Sequence, residues 1–365
     1  MKRLAMGLEV TCRLACLVGT LSLIAPTAAH AQQSRPSRFA IDTVATIDTA
    51  LDNDGNDATN MVVDAIVSVD LGRGLEVVGW PIAQRLAVTG EWSQDLWLAA
   101  LRYERPGAIG LRIEGGLLPS PLGLANLTVR RAHLNPTISQ PSSLFSPLPS
   151  LGAGEPRPSL LGAIYPFGGQ ITVSGSRWDA RAALIDTSPL RRRGVFVDPK
   201  PPRFANLVIG GGVTPFVGFR VGASVTHGGW QRAGESPATT ADRNATVVTV
   251  ESELSFAHTA LAGEWVRDAL GTSSGSRVAS GWFVQGRQTL TPRWFVAGRV
   301  ERVASPLVSA AQVQQQTLAR IEETLGYRLT PEFTVRAGHR ARRNFGRAAY
   351  QHEFALSVVW WKRWL

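Results

Sequence analysis

Along most of its length this chain alternates apolar and polar side chains in runs of about ten residues, each run closed by a tight corner. Three corners repeat one phrase, Thr-Pro with an aromatic close behind: Thr214-Pro215-Phe216, Thr291-Pro292-Arg293-Trp294 and Thr330-Pro331-Glu332-Phe333. Alternation with period two gives a strand one greasy and one wet face. Ten residues is about the length that a tilted strand needs to cross a bilayer. The expected fold class is therefore all-β, a transmembrane antiparallel β-barrel of about 16 strands. Sixteen such runs are legible, the first near 38–49 and the last near 350–361. An even number suits a single-chain barrel with both termini on one side.

The first residues fit an export signal. Lys2, Arg3 and Arg13 form a basic region, Leu14 to Ile24 is apolar but too short to span, and Ala29-His30-Ala31 has the small-x-small pattern of a cleavage site. The chain thus divides into a cleaved signal peptide, 1–31, and an outer-membrane barrel, 32–365. Both cysteines, Cys12 and Cys16, fall in the segment to be removed, so the mature chain is expected to hold together without disulfides. No stretch of the mature chain is apolar for eighteen residues, which removes a transmembrane helix. The formal charge is +10, of which Lys2, Arg3 and Arg13 against Glu9 account for two, leaving about +8. Nearly all of that charge is arginine, since lysine occurs only at Lys2, Lys200 and Lys362.

The parity of each run predicts where those arginines point. Val278, Trp282 and Val284 share one face, and Arg277, Gln285 and Arg287 the other. Trp294, Val296 and Val300 oppose Arg299 and Glu301; Phe333, Val335 and Ala337 oppose Arg336 and Arg340. Trp97, Leu101 and Tyr103 oppose Arg102, while Phe219, Val221 and Val225 oppose Arg220. An arginine on the lipid face at mid-bilayer costs about 2–4 kcal/mol. The polar parity must therefore face the lumen, with Arg102, Arg112, Arg181, Arg220, Arg287, Arg299, Arg320, Arg336 and Arg340 as pore-lining candidates. Asp64, Asp70, Glu251, Glu253, Glu264 and Glu301 face inward with them, so each arginine either biases the pore towards anions or pairs across strands. Glu323 and Asp186 fall on the lipid parity. Aromatics at run ends (Trp178, Phe219, Trp294, Tyr327, Phe333, Trp360, Trp361) read as an interfacial girdle.

The connections divide into short corners on one side and longer polar ones on the other: 50–60, 87–94, 188–203, 228–243, 268–276, 304–315 and 343–349. The longest, 119–167, starts at Pro119 and Pro121, carries Arg130, Arg131 and His133, and holds the apolar Leu122, Leu124, Leu144, Phe145, Leu148 and Leu151. So many apolar residues need a surface to pack on, and the inner wall supplies one. This segment is expected to fold inward as a constriction loop rather than lie outside as a flap. Arg191-Arg192-Arg193 and the group Arg340, Arg342, Arg343 and Arg347 could engage anionic solutes or lipopolysaccharide phosphates, or remain solvated surface. Asp52, Asp54 and Asp57 offer oxygen ligands for calcium but lack the Gly and Glu placement of an EF-hand loop. No metal, cofactor or nucleic acid is expected.

Gly115-Gly116-Leu117-Leu118-Pro119-Ser120-Pro121-Leu122-Gly123-Leu124 resembles the element that opens the long loop in phosphate-selective porins of the O and P type. The hairpin Ser174-Gly175 to Trp178-Asp179, running on to Asp186-Thr187-Ser188-Pro189, is similar as well. The resemblance covers 95–190 and implies a homotrimeric sixteen-stranded porin with a constriction loop. That family's lysine-rich approach to the pore is missing here, so phosphate selectivity does not transfer.

The function these features predict is passive diffusion of small hydrophilic solutes across the outer membrane, with an anion preference. Two other classes compete: a plugged barrel acting as surface anchor or adhesin, and a barrel enzyme. The mature histidines His133, His227, His258, His339 and His352 form no recognisable nucleophile–base pattern, so no enzymatic activity is expected.

Overall fold

The computed structural model describes residues 38–365 apart from Leu124, 126–130, Ser142, Ala153, 163–164, 192–202, Ala238, 310–311 and Leu365. The proposed signal peptide, Leu124, Arg130, Arg192 and Arg193 lie outside the described residues.

Sixteen strands form one closed antiparallel barrel. They are β1 (Phe39–Asp52), β2 (Asp57–Gly72), β3 (Leu75–Arg85), β4 (Trp92–Arg105), β5 (Gly110–Leu117), β6 (Phe167–Ser174), β7 (Trp178–Ile185) and β8 (Asn206–Phe216), then β9 (Phe219–Gln231), β10 (Arg243–Phe256), β11 (Thr259–Thr272), β12 (Gly275–Thr289), β13 (Trp294–Val308), β14 (Val313–Arg328), β15 (Phe333–Arg343) and β16 (Gln351–Trp364). Each strand pairs with its neighbours in sequence, and β1 pairs with β16 from Ile41 opposite Trp364 to Asp52 opposite Glu353. Closure leaves no strand edge for lipid to face, which a membrane demands of a sheet.

The corners form as their residues dictate. Gly218 holds a φ of +90° between β8 and β9, and a Cβ there would collide with the Ser255 carbonyl. After the Thr291-Pro292 corner the Thr291 hydroxyl accepts from the backbone N–H of Trp294 at 3.0 Å, satisfying a donor that the turn leaves over. Two connections expected to be long are tight turns instead: β1 and β2 extend to Asp52 and Asp57, and β11 and β12 run to Thr272 and Gly275. In the first, Asp52 Oδ1 accepts from the N–H groups of Asp54 and Asn56, and Oδ2 from the Asn56 amide, so this carboxylate builds the turn. No group of carboxylates or imidazoles suited to a metal occurs among the described residues.

The two faces sort by parity. Val278, Trp282, Val284, Val300, Ile321 and Leu325 are exposed outward, while Phe283, Gln285, Arg299, Glu301 and Glu322 between them are buried inward. Trp294 and Tyr327 pack together, ring centroids 4.6 Å apart, at the end of the barrel that carries the termini. Trp361 departs from the expected girdle. It faces inward, donating its indole N–H to Asp42 and stacking on His133 at 5.4 Å. Trp97 likewise packs on Trp80 and Tyr165, next to a register shift at Trp80/Pro81. Asp186 lies beyond the end of β7, where Oδ1 accepts from the Phe167 N–H at 3.0 Å. Glu323 does lie on the outward face, opposite His339.

Candidate functional site

The connection between β5 and β6 folds into the barrel. Leu122, Leu144, Leu148, Leu151, Leu160 and Leu161 are buried in one cluster with inward residues of the wall, among them Val208, Trp230, Val247, Val266, Leu270 and Phe283. Burying each leucine contributes roughly 1.5–3 kcal/mol, so this segment is core and not a flap. The outer half of the β7–β14 wall is thus apolar on the inside as well, contrary to a lumen that is polar throughout. The reason is that this wall faces packed protein rather than water.

Wall carboxylates take up backbone donors that a proline-rich segment cannot pair within itself. Glu264 accepts from the Ala125 N–H at 2.6 Å, and Glu301 from that of Ser143 at 2.8 Å. Glu322 Oε1 accepts from both Ile138 and Ser139 at 2.9 Å. From the segment's side, Glu155 reaches out to accept from the Ser273 N–H at 2.7 Å. Arg299, whose side chain is 1 % exposed, sits between Glu301 at 2.7 Å and Glu322 at 2.8 Å. Its remaining N–H groups go to Thr137, Ser139 and Gln140 of the segment. Arg336 donates to the carbonyls of Ala132, Asn135 and Thr137 and to the Ser357 hydroxyl. These two arginines are clamps, not free charges.

Of the loop residues singled out in the sequence, Pro119 and Pro121 open the inward turn, and Pro121 is buried. Arg131 reaches two strands at once, Asp42 on β1 and Asp64 on β2, both at 3.1 Å. His133 is held to a pKa of about 4, by burial first and then by the neighbouring Arg131 charge.

Most other pore-lining candidates are neutralised. Arg102 lies between Glu114 (2.7 Å) and Glu76 (3.1 Å), and Arg112 meets Glu104 at 2.6 Å. Arg220 bridges Glu251 at 2.9 Å and Asp179 at 3.0 Å, its guanidinium occupying space that a Cβ on Gly212 would take, 2.5 Å away. Arg181 donates to the Ser224 hydroxyl at 2.6 Å with Glu251 at 3.7 Å. Arg340 meets Glu353 at 3.0 Å, and Arg320 approaches the Ser146 hydroxyl at 3.4 Å. Of the outer arginines, Arg342 shares Glu353, Arg343 lies over Tyr350, and Arg191 binds Glu235. Only Arg287 among the nine wall arginines has no ion-pair or hydrogen-bond partner among the described residues.

Two recesses flank segment 132–139. The one towards the long connections, about 120 Å³, is lined by Asp48, Asn60, Ile138, Ser139 and Arg340. The one towards the termini, about 50 Å³, is lined by His133, Asn135, Arg287, Arg328, Thr334 and Arg336. The strand registers place Arg336, Ser357 and Asp48 level with one another, between the two recesses. Parity places Glu264 and Glu301 inward beside the arginines but does not assign them, or Glu322, to the backbone amides of the inward segment. Their signal was available: a long inward segment rich in proline carries amide donors that must find acceptors.

A closed sixteen-stranded barrel with a lipid-facing outer parity and an inward β5–β6 connection is a porin-type outer-membrane β-barrel. Among solved structures, it is similar to OmpF of Salmonella typhi, solved in complex with daunomycin: 12% identity and a TM-score of 0.62 over 89% of this chain and 97% of that one. The anion-selective porin of Comamonas acidovorans is similar at 9% identity and a TM-score of 0.58, over 89% and 99% of the two chains. OmpT, an outer membrane protein of Vibrio cholerae, is similar at 9% identity and a TM-score of 0.58, over 91% and 100%. At such identities the likeness is one of fold. No protein-family model matches the sequence, and no curated protein matches it.

Proposed function

We propose that this protein is an outer-membrane porin, exported by a signal peptide ending at Ala31, that lets small hydrophilic solutes diffuse passively and favours anions. The observation that carries this reading is the inward connection. It is clamped to the wall at Arg299 and Arg336 and flanked by polar recesses on both sides. Such a segment narrows a barrel to a charged constriction, where fixed guanidinium groups set which ion passes. The purified protein should give stepwise conductance in planar bilayers, and a KCl gradient should give a reversal potential of anion-preferring sign. A cation-preferring sign would refute the charge preference, and N-terminal sequencing of the exported chain should begin at Gln32.

A plugged barrel serving as a surface anchor is favoured by one observation, the apolar cluster that fills the β7–β14 side. Absence of any conductance step would select it. Within the porin reading, Gly116 and Gly123 support the resemblance to the O and P type. Gly116 holds a φ of +134° with Ala99 against it, and Gly123 a φ of +76° with Glu264 against it, so the opening element needs glycine at both places.

The porin reading includes assembly as a homotrimer in contact with lipid and lipopolysaccharide. Glu323 is four residues from Tyr327 of the aromatic belt, about 10 Å higher in a tilted strand and so within the ~25 Å hydrocarbon band. Lipid cannot satisfy a carboxylate there, and a neighbouring copy can. A cysteine replacing outward Ala337 should cross-link copies in native membranes, whereas one replacing Ile209 on the opposite wall should not.

A further inference from the structure

Two arginines break the rule that keeps charge on the lumenal parity. Arg267 on β11 and Arg302 on β13 lie on the outward faces of their strands, exposed, with no ion-pair or hydrogen-bond partner among the described residues. Register places Arg302 in one row with Trp265, Trp282 and Ala319. Arg267 falls in the next row outward, with Val248, Ser280, Ala304 and Thr317. On β10 to β14 neither row carries a carboxylate. Arg302 is eight residues along β13 from Trp294 of the aromatic belt, about 20 Å higher in a tilted strand. Both arginines thus sit at the outer edge of the ~25 Å hydrocarbon band, where a guanidinium reaches the headgroups along its aliphatic stem. Their Cα atoms are about 12 Å apart, two strand spacings across and two residues along. Trp265 and Trp282 face each other outward between them.

We propose that the outward face of β11 to β13, through Arg267 and Arg302, docks a phosphorylated glycolipid of the outer leaflet, lipopolysaccharide, by its phosphate groups. The counter-charge that these arginines lack must come from outside the chain, and at this height the membrane supplies it as phosphate. Each guanidinium fork matches a pair of phosphate oxygens and stays charged at every physiological pH. The Ser280 hydroxyl, on the strand beside Arg267, adds a donor. Trp265 and Trp282 bring amphipathic rings suited to the boundary between acyl chains and sugars. The patch is local and not a ring of cations around the barrel. Away from β11 the row of Arg267 runs through Val248, Val225, Ile209, Ala182 and Ile171 without a charge. On the other side Arg343, in the row of Arg302 beyond Ala319, is already turned over Tyr350. The inference deepens the lipopolysaccharide contact of the porin reading and rests on its outer-membrane placement, not on conduction.

The test uses the full chain refolded in detergent and melted with increasing bisphosphorylated lipid A, with lipid A stripped of its phosphates, or with inorganic phosphate. The expected result is a melting temperature that rises saturably with the phosphorylated lipid alone. The apparent affinity should fall roughly tenfold or more in Arg267→Gln/Arg302→Gln, and by a smaller factor in each single variant, which serves if the double variant does not refold. Arg112→Gln, which removes an arginine already paired with Glu104, should keep the full response. No response in the unaltered protein, or an equal one in the double variant, overturns the proposal. An equal rise with inorganic phosphate or with the stripped lipid overturns the assignment of a phosphorylated lipid. Loss of oligomers in the lipid-free double variant overturns it as well, since a second copy would then cover the patch. If the lipid response persists while the barrel conducts nothing, the docking face stands and the porin reading alone falls.

Discussion

Asp268 is fully buried on the inward face of β11, and neither carboxylate oxygen has a hydrogen-bond partner among the described residues. Val247 and Ala279 lie opposite it on the neighbouring strands, inside the leucine cluster. A polar group buried without a partner costs about 1–3 kcal/mol. Asp268→Leu should therefore stabilise the refolded barrel by an amount in that range, read as a higher urea midpoint. A lower midpoint would mean that the carboxyl has a partner the structure does not show. His133 makes the opposite kind of prediction, one that depends on pH. Unfolded, its imidazole titrates near 6.5; folded, burial and Arg131 hold it near 4. The folded state thus binds fewer protons than the unfolded one between those values, so stability falls as the pH drops from about 6.5 to about 4 and is unaffected above. Labelling of a cysteine placed at Ala132 should increase through that window, and His133→Gln should abolish the dependence.

Among the elements, the inward connection depends on Glu322 more than on any other wall acid. This one side chain accepts from two backbone donors and pairs with Arg299. Glu322→Ala leaves the guanidinium buried beside Glu301 alone, and breaking a buried pair costs about 3–5 kcal/mol. The expected outcome is a barrel that still closes but whose segment 135–140 becomes open to protease, read by cleavage and mass spectrometry. The strands themselves were legible because parity is repeated in every one of them and any slip would place arginine in lipid. β1 and β16 match the sequence reading within a few residues for that reason. The interior was less legible. Periodicity assigns Val208, Val247 and Val266 to the inside but does not say that leucines from a distant connection will meet them there. Nor does it tell a paired arginine such as Arg220 from an unpaired one such as Arg287, since pairing depends on cross-strand register. Trp361 misled for a related reason. An aromatic near a strand end suits the interface, but its parity put it opposite Asp42.

At the scale of the whole molecule, the leucine cluster fills the β7–β14 side and leaves space beside β15 and β16, where both recesses touch the wall. The unit conductance should accordingly be well below that of a bare sixteen-stranded cylinder. Cutting the connection back, by deleting residues 126–158, should raise it; an unchanged value would place the segment outside the conducting path.

The same connection also touches the seam where the cylinder shuts. Arg131 ties β1 to β2 through Asp42 and Asp64, and His133 lies on Trp361 of β16, the strand that zips against β1. First and last strands are thus fastened through a segment from the middle of the chain. Sealing the wall and seating the plug become a single step, so a half-assembled barrel has little to hold it shut. Arg131→Gln should separate them, turning one sharp unfolding transition into two when followed by tryptophan fluorescence.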